Sequence, residues 1–572
     1  MKKELISFFC IALLLINSVG CANTSSESSS VPVQSESSGT SAPEESTAAT
    51  SDTESSAPDE TQKSEATTSA PQTTASSTAE TTAATTALTS AATSSTTETT
   101  TASTTQTTAS SAQTTVTTTK ATTTAKPVEI PPSEDLSDLM LQYYEETAER
   151  EEDFADIAKK KTMPAVYITT YDNERILSKD YYVDAVIDVV NCDEEYRLTA
   201  EGGVKVRGNS TANDSEKPYR IKFDKKQGML GLHDDMKFKS WVLLRSQWNL
   251  VPDCMGFALA ETIFDGEYYS SDYTYVNVYI NGRGVGLYLL CEQNQAVEGR
   301  VEVYEPKEDE LQTDIGYFLE MDNYANEDEA PFFTLDYDGI EFTDYVGTTK
   351  AFVPDDFSIK SDITCDEQRQ FIAKYLDGVF HIMYEAVEND KPMMFDKDYN
   401  VLSAEGVYPT AKEAVEAVID LDSMVNTMIL QELVHNYDVG AGSFFMAVDF
   451  SEESKYERLT FLAPWDFNWA YSEETHGRYY AGAFQKPVHD MYERSNVWLT
   501  VIMKADWFRD MLKEKWKELD NGTALAKTAA NVFKIAQSLE NDLGDESWRI
   551  DSAKGVVSFV RGRIQWLKGE WE

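Results

Sequence analysis

The chain has 572 residues and a formal net charge of −49, because 98 acidic side chains outnumber 49 basic ones. About −42 of this charge falls on residues 128–572, where aromatic and branched apolar residues are frequent enough to build a core. Such an acidic region excludes nucleic acid as the expected partner and suits basic protein substrates or divalent cations. Solubility alone is the alternative explanation for the charge.

Residues 1–21 have the features of a lipoprotein signal peptide. Lys2 and Lys3 precede a short apolar run that ends in small residues. The run is too short for a comfortable membrane span, and no other segment is long and apolar enough for one. Ser18 to Cys21 resembles a lipobox, which predicts acylation of Cys21, and cleavage without lipidation is the alternative. We therefore expect an extracytoplasmic protein, lipid-anchored to the cell membrane and projecting to the cell surface.

Residues 22–130 form a linker rich in serine, threonine and alanine, with almost no residue that could join a core. Such a composition predicts disorder. A flexible coil of about 105 residues spans roughly 55–60 Å on average. The linker would hold residues 131–572 away from the membrane and through the cell wall, whose polysaccharide is a candidate partner.

Four cysteines remain after the signal peptide, and none lies in a C-x-x-C pair: Cys192, Cys254, Cys291 and Cys365. A structural zinc site is therefore not expected. In an exported protein these cysteines could form one or two disulfides or remain buried free thiols, and the sequence favours neither state.

Residues 164–305 are predicted to be rich in strands. AVYITTYD, YVDAVIDVVN, GGVKVRGNS and KPYRIKFDKK carry β-branched residues with alternation. YVNVYINGRGVGLYLLCE predicts a hairpin, since Asn281 and Gly282 suit the two left-handed positions of its turn. One helix, DCMGFALAETIFD, follows Pro252.

The second half is predicted to be more helical. EQRQFIAKYLDGVFHIMYEAVEN, LDSMVNTMILQELVHN and GVVSFVRGRIQWLKGEW repeat apolar residues at helical spacing. SFFMAVDF and YERLTFLAP predict a hairpin before APWDFNWAY. The fold class expected is α+β, with a ligand cleft between a strand-rich N-lobe, about residues 160–305, and a mainly helical C-lobe, about residues 306–572.

Asp466 lies in an almost wholly apolar stretch, APWDFNWAY, where an unpaired carboxylate would be costly. A helix, a loop with Asp438, Ser443 five residues on, and a hairpin precede it. Protein kinases place a catalytic Asp, a metal ligand and a metal-binding Asp in this order, so that the hairpin folds both acids onto one site. A metal ion would then partner Asp466. Pairing with a carbonyl or an arginine is the alternative, and Asp438 alone is more often a cap or turn residue.

The N-terminal half offers residues suited to phosphate. VRGNS ends a predicted strand, so Arg207 and the backbone at Gly208 could approach phosphates. Lys217 and Lys222 follow, five residues apart. In a regular strand their side chains would point to opposite faces, so only one of them can face the cleft. Glu261 could pair with that lysine. Glu292, at the end of the predicted hairpin, occupies the place where kinases link their lobes and contact adenine.

Each of these residues taken singly has a simpler interpretation. The cations are more often solvated strand residues, Glu261 is more often a surface residue, and Glu292 is most simply a solvated strand-end carboxylate.

At several blocks in the right order, the sequence resembles the spore-coat protein H (CotH) kinase family of secreted atypical protein kinases. The blocks cover about residues 160–570: MPAVYITT with LSKDYYVDA, VKVRGNST with KPYRIKF, WVLLRS, VNVYINGRGVGLYLLCEQ, GYFLEMD, NYDVGAGSFFM and APWDFNWAY. The resemblance implies a two-lobe kinase-like fold, ATP, Mg²⁺ or Mn²⁺, and phosphate transfer to Ser or Thr of surface or coat proteins.

The resemblance also implies roles by position. Asp438 would be catalytic, Asp466 would bind metal with Ser443 and Asn468, and the phosphate-side residues would be Arg207, Asn209 and Ser210 with Lys217 or Lys222. The family often has Asp where Asn468 stands, and Asn where Ser443 stands. It usually has an arginine near 253–255, where this chain has none.

Two functions follow from the sequence. The first is an active extracellular protein kinase. The second is a catalytically weak or inactive kinase-like module that binds protein or cell-wall glycan at the cell surface, which Asn468 and Ser443 favour. A carboxylate-pair hydrolase has no recognisable acid and nucleophile pair here.

Overall fold

The computed structural model describes residues 150–572 apart from 210, 246–249, 323, 328–329, 346, 348, 437, 441, 453 and 472–495. Over these residues the fold is a mixture of helices and strand-rich sheets, which confirms the predicted α+β class. The signal peptide, the linker and Cys21 lie outside the described residues. No described helix is long and apolar enough to span a membrane.

Seven strands form a closed barrel in the order β1–β2–β3–β4–β5–β7–β6, with β1 and β6 parallel and all other neighbours antiparallel. The strands are β1 Ala165–Thr170, β2 Val183–Val190, β3 Leu198–Val206, β4 Tyr219–Gln227, β5 Phe238–Leu244, β6 Tyr273–Ile280 and β7 Arg283–Glu292. Asn281 and Gly282 have φ of 50° and 76°, so the predicted hairpin turn between β6 and β7 is confirmed.

Alternation decides which side chains fill the barrel. On β4, Tyr219, Ile221 and Phe223 are buried in the interior core. The intervening Arg220 and Lys222 therefore lie on the outer face. On the same outer face, Val242 of β5 and Cys291 of β7 belong to the second and larger core, which the helices build. This face thus meets the helical part of the molecule.

A second sheet of five strands lies beyond the barrel, in the order β16–β15–β8–β12–β9. Its strands are β8 Gly316–Met321, β9 Phe332–Leu335, β12 Asp355–Ile359, β15 Phe444–Asp449 and β16 Thr460–Phe461. Two small hairpins complete the strands: β10 Glu341–Thr343 with β11 Thr349–Ala351, and β13 Met393–Phe395 with β14 Val401–Ser403. The hairpin β15–β16 is confirmed. Three further strands, β8, β12 and β9, extend the sheet of this hairpin and were not predicted.

The helices begin with α1 over residues 150–160 and α2 over Pro252–Phe264. The others are α3 Asp366–Asn389, α4 Ala411–Glu416, α5 Leu421–Val434, α6 Val497–Ile502, α7 Asp506–Glu518, α8 Thr523–Ser538, α9 Glu540–Leu543 and α10 Arg549–Trp571. The predicted helices α2, α3, α5 and α10 are confirmed. Helix α5 is buried on nearly all sides, which places the loop that follows it in the interior of the molecule.

All four described cysteines are free thiols, so of the two alternatives the structure has thiols rather than disulfides. Cys254 and Cys291 are fully buried, and burial raises the pKa of both thiols. They behave as small apolar residues of the core.

Candidate functional site

The segment APWDFNWAY continues from β16 and turns sharply at Asp466. Asp466 has φ of 56°, and Ala463 and Tyr471 in the same segment are also left-handed, with φ of 55° and 65°. Non-glycine residues adopt this region at a cost, and such conformations cluster at functional sites. The turn leaves the Asp466 carboxylate half-exposed, where it accepts a hydrogen bond from the Asn468 side chain at 2.9 Å.

The Asp438 loop starts where helix α5 stops. His435 takes a left-handed conformation, with φ of 52°, and ends the helix. The next residue, Asn436, is only 1% exposed. Its amide donates to the backbone carbonyl of Asp466 at 2.9 Å and accepts from the backbone N–H of Asp438 at 3.2 Å. One buried side chain therefore joins the two segments that carry the acidic residues.

Asp438 and Asp466 act on each other electrostatically. Burial, and then the negative charge of Asp466, hold the pKa of Asp438 well above its usual range. In the described part of the chain, neither carboxylate forms a salt bridge with a lysine or arginine. The alternative that Asp466 pairs with an arginine is therefore not observed among these residues. The two carboxylates thus interact with each other, and no lysine or arginine of the described residues neutralises either one.

Residues of helix α2 contact the turn at Asp466 and hold it in place. Asp253, in its first turn, accepts the backbone N–H of Phe467 at 3.0 Å. Burial, together with the Asp466 carboxylate, raises the pKa of Asp253 to about 7. A Cβ on Gly256 would lie 2.2 Å from the Phe467 ring, so only glycine allows this close approach. The hydroxyl of Tyr471 donates to the carbonyl of Pro252 at 3.0 Å.

The barrel contributes Arg207 at the end of β3. Its guanidinium carbon lies 5.5 Å from the centre of the Trp465 ring, a cation–π contact with the Asp466 segment. Its charge also lowers the pKa of Asp253, against the larger effects that raise it. Gly208 follows with φ of 87°, and a Cβ there would be 2.1 Å from the Thr211 hydroxyl. The VRGNS turn thus depends on glycine.

The other predicted phosphate-side residues lie differently. The amine of Lys217 donates to the carbonyl of Ala212 at 2.6 Å and so closes its own loop. Lys222 is exposed on the outer face of β4, 5.8 Å from the ring centre of Tyr182. Asn209 is exposed and accepts from the amine of Lys179 at 3.2 Å. Ser210 lies outside the described residues.

Glu292 is fully buried, so its interpretation as a solvated strand-end carboxylate is wrong. It accepts from the guanidinium of Arg300 at 2.9 Å, contacts His233 Nδ1 at 3.1 Å and accepts the backbone N–H of Asp272 at 3.0 Å. The hydrogen bond to Glu292 raises the pKa of His233. These contacts occupy both carboxylate oxygens and make Glu292 the centre of a buried ion-pair network. Glu261 is exposed and makes no salt bridge to Lys217 or Lys222 among the described residues.

Ser443 is half-buried at the start of β15 and left-handed, with φ of 53°. Asn468 is exposed and bound to Asp466. Within the described residues, no group of three or more His, Cys, Asp and Glu side chains is arranged to hold a metal ion. A metal at this place would therefore need oxygen donors from a ligand, as Mg²⁺ usually does.

Comparison with known protein families matches a model described as CotH kinase protein to residues 204–568. The chain belongs to the CotH kinase family. The match covers more than half of the chain, contains both Asp438 and Asp466, and confirms the resemblance seen in the sequence blocks. It supports a kinase-like protein. No curated protein matches the chain.

Three residues of the CotH kinase domain that lie at or beside this site were missed by sequence reasoning. Asn436 and Asp253 hold the two acidic segments, but their partners come from long-range packing that the sequence does not display. Arg220 lies on the same face of β4 as Lys222, and the parity of the strand could have identified it.

Proposed function

We propose that the protein is an extracytoplasmic, ATP- and divalent-metal-dependent protein kinase that transfers the γ-phosphate to Ser or Thr of surface or coat proteins. The observation that carries the proposal is the convergence of Asp438 and Asp466, joined by Asn436 and left without a protein cation among the described residues. The barrel and the helical part correspond to the two lobes of a kinase, with the site where the barrel's outer face meets the helices.

The donor set at this site fits a hard cation. The carboxylates of Asp438 and Asp466 repel each other, and a cation between them would relieve that repulsion. Asp466 would hold the ion, with the Ser443 hydroxyl and the Asn468 amide as neutral donors nearby in the chain. Mg²⁺ or Mn²⁺ bound there would neutralise charge on the nucleotide phosphates.

The residues of this chain then have separate tasks. Asp438 accepts the proton of the acceptor hydroxyl and orients its oxygen toward the γ-phosphorus. As the new O–P bond forms, the bond from the γ-phosphorus to the bridging oxygen breaks and ADP leaves. Arg207, beside Trp465, offers positive charge to the phosphates. Asn436 keeps the two acidic segments in register during this step.

The rest of the chain sets where this reaction takes place. Acylated Cys21 anchors the protein to the membrane, and the Ser/Thr-rich linker extends the kinase domain to the cell surface. The acidic surface favours basic protein substrates. Nucleic acid is not a partner, and cell-wall polysaccharide is a contact of the linker.

A kinase-like binding module without catalysis is the second candidate. The observation that favours it is the amide Asn468 beside Asp466, where the family often has a second carboxylate, together with the lack of a three-residue metal group in the described ranges. Such a module would bind protein or cell-wall glycan at the cell surface.

One experiment separates the two candidates. The full-length protein is incubated with γ-labelled ATP, Mn²⁺ and a surface-protein extract, beside the Asp438→Asn variant. The kinase predicts label on Ser or Thr that the variant does not produce, although the variant still binds nucleotide. Absence of label with wild type, or equal label with the variant, would contradict the assignment of Asp438.

A further inference from the structure

Arg220 is the second residue of β4, and its side chain lies on the outer face of the barrel. Its only hydrogen bond in the described part of the chain runs from Nη2 to the Ser240 hydroxyl, at a long 3.4 Å. Its Nε atom is buried and has no hydrogen-bond partner there. A guanidinium in this position has lost water without gaining an anion, which is costly.

The five buried arginines of the described chain are all paired with carboxylates, whereas Arg220 is half-buried and is not. These pairs are Arg150–Asp188 at 2.7 Å, Arg245–Glu216 at 2.7 Å, Arg300–Glu292 at 2.9 Å, Arg549–Glu216 at 2.8 Å and Arg563–Glu432 at 2.6 Å. With 98 acidic side chains in the sequence, a carboxylate is available almost everywhere.

A second arginine without a salt bridge lies close by. Arg220 faces Lys205 across the β3–β4 pair, and Arg207 lies two residues beyond Lys205 on the same side of β3. Burial, and then the positive charges of Arg207 and Arg300, lower the pKa of Arg220. No described carboxylate pairs with Arg207 either, although Asp253 and Glu320 are within electrostatic range of it. Two like charges are held together by the fold with no anion between them.

Arg207 connects this cationic pair to the Asp466 segment. Arg207 contacts Trp465, the residue before Asp466, so the pair borders the place where Asp438 and Asp466 converge. Lys217 is bound to its own loop, and Lys222 is exposed at the outer part of the same face. Arg220 is therefore the β4 cation that combines a buried donor without a partner, at Nε, with a place on the outer face of the barrel.

We propose that Arg220, with Arg207, binds the nucleotide phosphates, in the role that sequence reasoning gave to Lys217 or Lys222. This inference rests on the proposed kinase function. A guanidinium suits the task because its planar donors match two phosphate oxygens at once and because it stays charged when desolvated. A bound phosphate would accept a hydrogen bond from Arg220 Nε and would neutralise the repulsion between Arg207 and Arg220.

The test measures binding of Mn²⁺–ATP and of tripolyphosphate to the full-length protein by calorimetry. Arg220→Gln is expected to weaken both ligands by about tenfold to a hundredfold, as loss of a hydrogen bond to a charged group does. Arg220→Lys should restore part of the affinity. Arg283→Gln, an exposed arginine of the same barrel at the hairpin turn, is the matched control and should bind as wild type does.

Unfolding of the ligand-free proteins gives an independent readout. If Arg220 serves a ligand, removing its unpaired charge leaves the melting temperature unchanged or raises it, whereas a structural arginine would lower it. Wild-type affinity in Arg220→Gln, or a larger loss in Lys222→Gln, overturns the inference and leaves the kinase proposal standing. Binding of tripolyphosphate but not ATP, weakened by Arg220→Gln, supports the anion site and overturns the nucleotide function. Failure of wild type to bind either ligand overturns the inference.

Discussion

Replacing Asn436 with alanine removes a side chain that bonds to both acidic segments. The change deletes a hydrogen bond to the Asp466 carbonyl at 2.9 Å and one from the Asp438 N–H at 3.2 Å. Because Asn436 is 1% exposed, water does not readily replace the amide. Each hydrogen bond contributes about 0.5–1.5 kcal/mol net, and each buried partner left unsatisfied costs about 1–3 kcal/mol. We expect the free energy of unfolding to fall by about 2–4 kcal/mol.

The functional effect is expected to exceed the loss of stability. Without the bridge, the Asp438 loop and the Asp466 turn no longer share a fixed register, so Mn²⁺–ATP affinity should fall more than tenfold at temperatures where the variant is folded. Urea unfolding gives the stability, and calorimetry with Mn²⁺–ATP gives the affinity.

Asn277→Ala is the matched control for this comparison. Asn277 is also buried, at 2% exposure, and its amide donates to Asp542 at 2.8 Å, away from the acidic site. It should lose a similar amount of stability and keep its nucleotide affinity. If Asn436→Ala binds Mn²⁺–ATP as tightly as Asn277→Ala does, the Asn436 bridge is not needed to organise the site for nucleotide binding.

Three further predictions follow from the supports of the site. Gly256→Ala places a Cβ 2.2 Å from the Phe467 ring and should lower the free energy of unfolding by about 1–3 kcal/mol in urea. The pKa of Asp253, about 7, lies above its ordinary 3.8, so the folded protein keeps a proton that the unfolded chain loses above about pH 4. Asp253 by itself should therefore lower the stability of the ligand-free protein by about 4 kcal/mol between pH 4 and 7, so wild type should lose about that much more stability over this range than Asp253→Asn does in urea titrations with EDTA. Glu292→Gln leaves the Arg300 charge buried and should cost about 3–5 kcal/mol, measured in the same way.

Two exposed residues provide control variants for these substitutions. Gly555 is exposed in α10 with nothing near its Cβ position, so Gly555→Ala should gain about 0.5–1 kcal/mol. Glu298 is exposed, and Glu298→Gln should leave stability unchanged. If wild type and Asp253→Asn lose the same amount of stability between pH 4 and 7, Asp253 is already ionised in the fold.

Local patterns in the sequence were sufficient for much of the fold. The alternation of β4 and the left-handed pair Asn281-Gly282 each depend on neighbours in the chain, and both were predicted correctly. Strand β8 was not predicted as a strand, because GYFLEM is a short apolar run that periodicity cannot distinguish from a buried helical segment.

The order of residues in the sequence predicted that the two acidic segments lie close together, but it did not predict which residues hold them in place. The order of Asp438, the hairpin and Asp466 indicated that the two carboxylates meet, and the structure brings them into electrostatic contact. The burial of Glu292 was not predictable, because it depends on Arg300 and His233, which reach it only in the folded chain. Long-range partners of this kind decide whether a polar residue is a ligand-binding group or a structural one.

The proposed function requires that Asp438 and Asp466 form one site that binds a cation carrying a nucleotide. Its most direct test is the melting temperature of the full-length protein with and without millimolar Mn²⁺–ATP, for wild type and Asp466→Asn. If the two carboxylates hold the ion, wild type melts higher with ligand, since ligand at a hundred times its Kd adds about 2.7 kcal/mol, and the folded variant shows no such rise. A wild type that melts at the same temperature with and without Mn²⁺–ATP, or a variant that keeps the full rise, would contradict it.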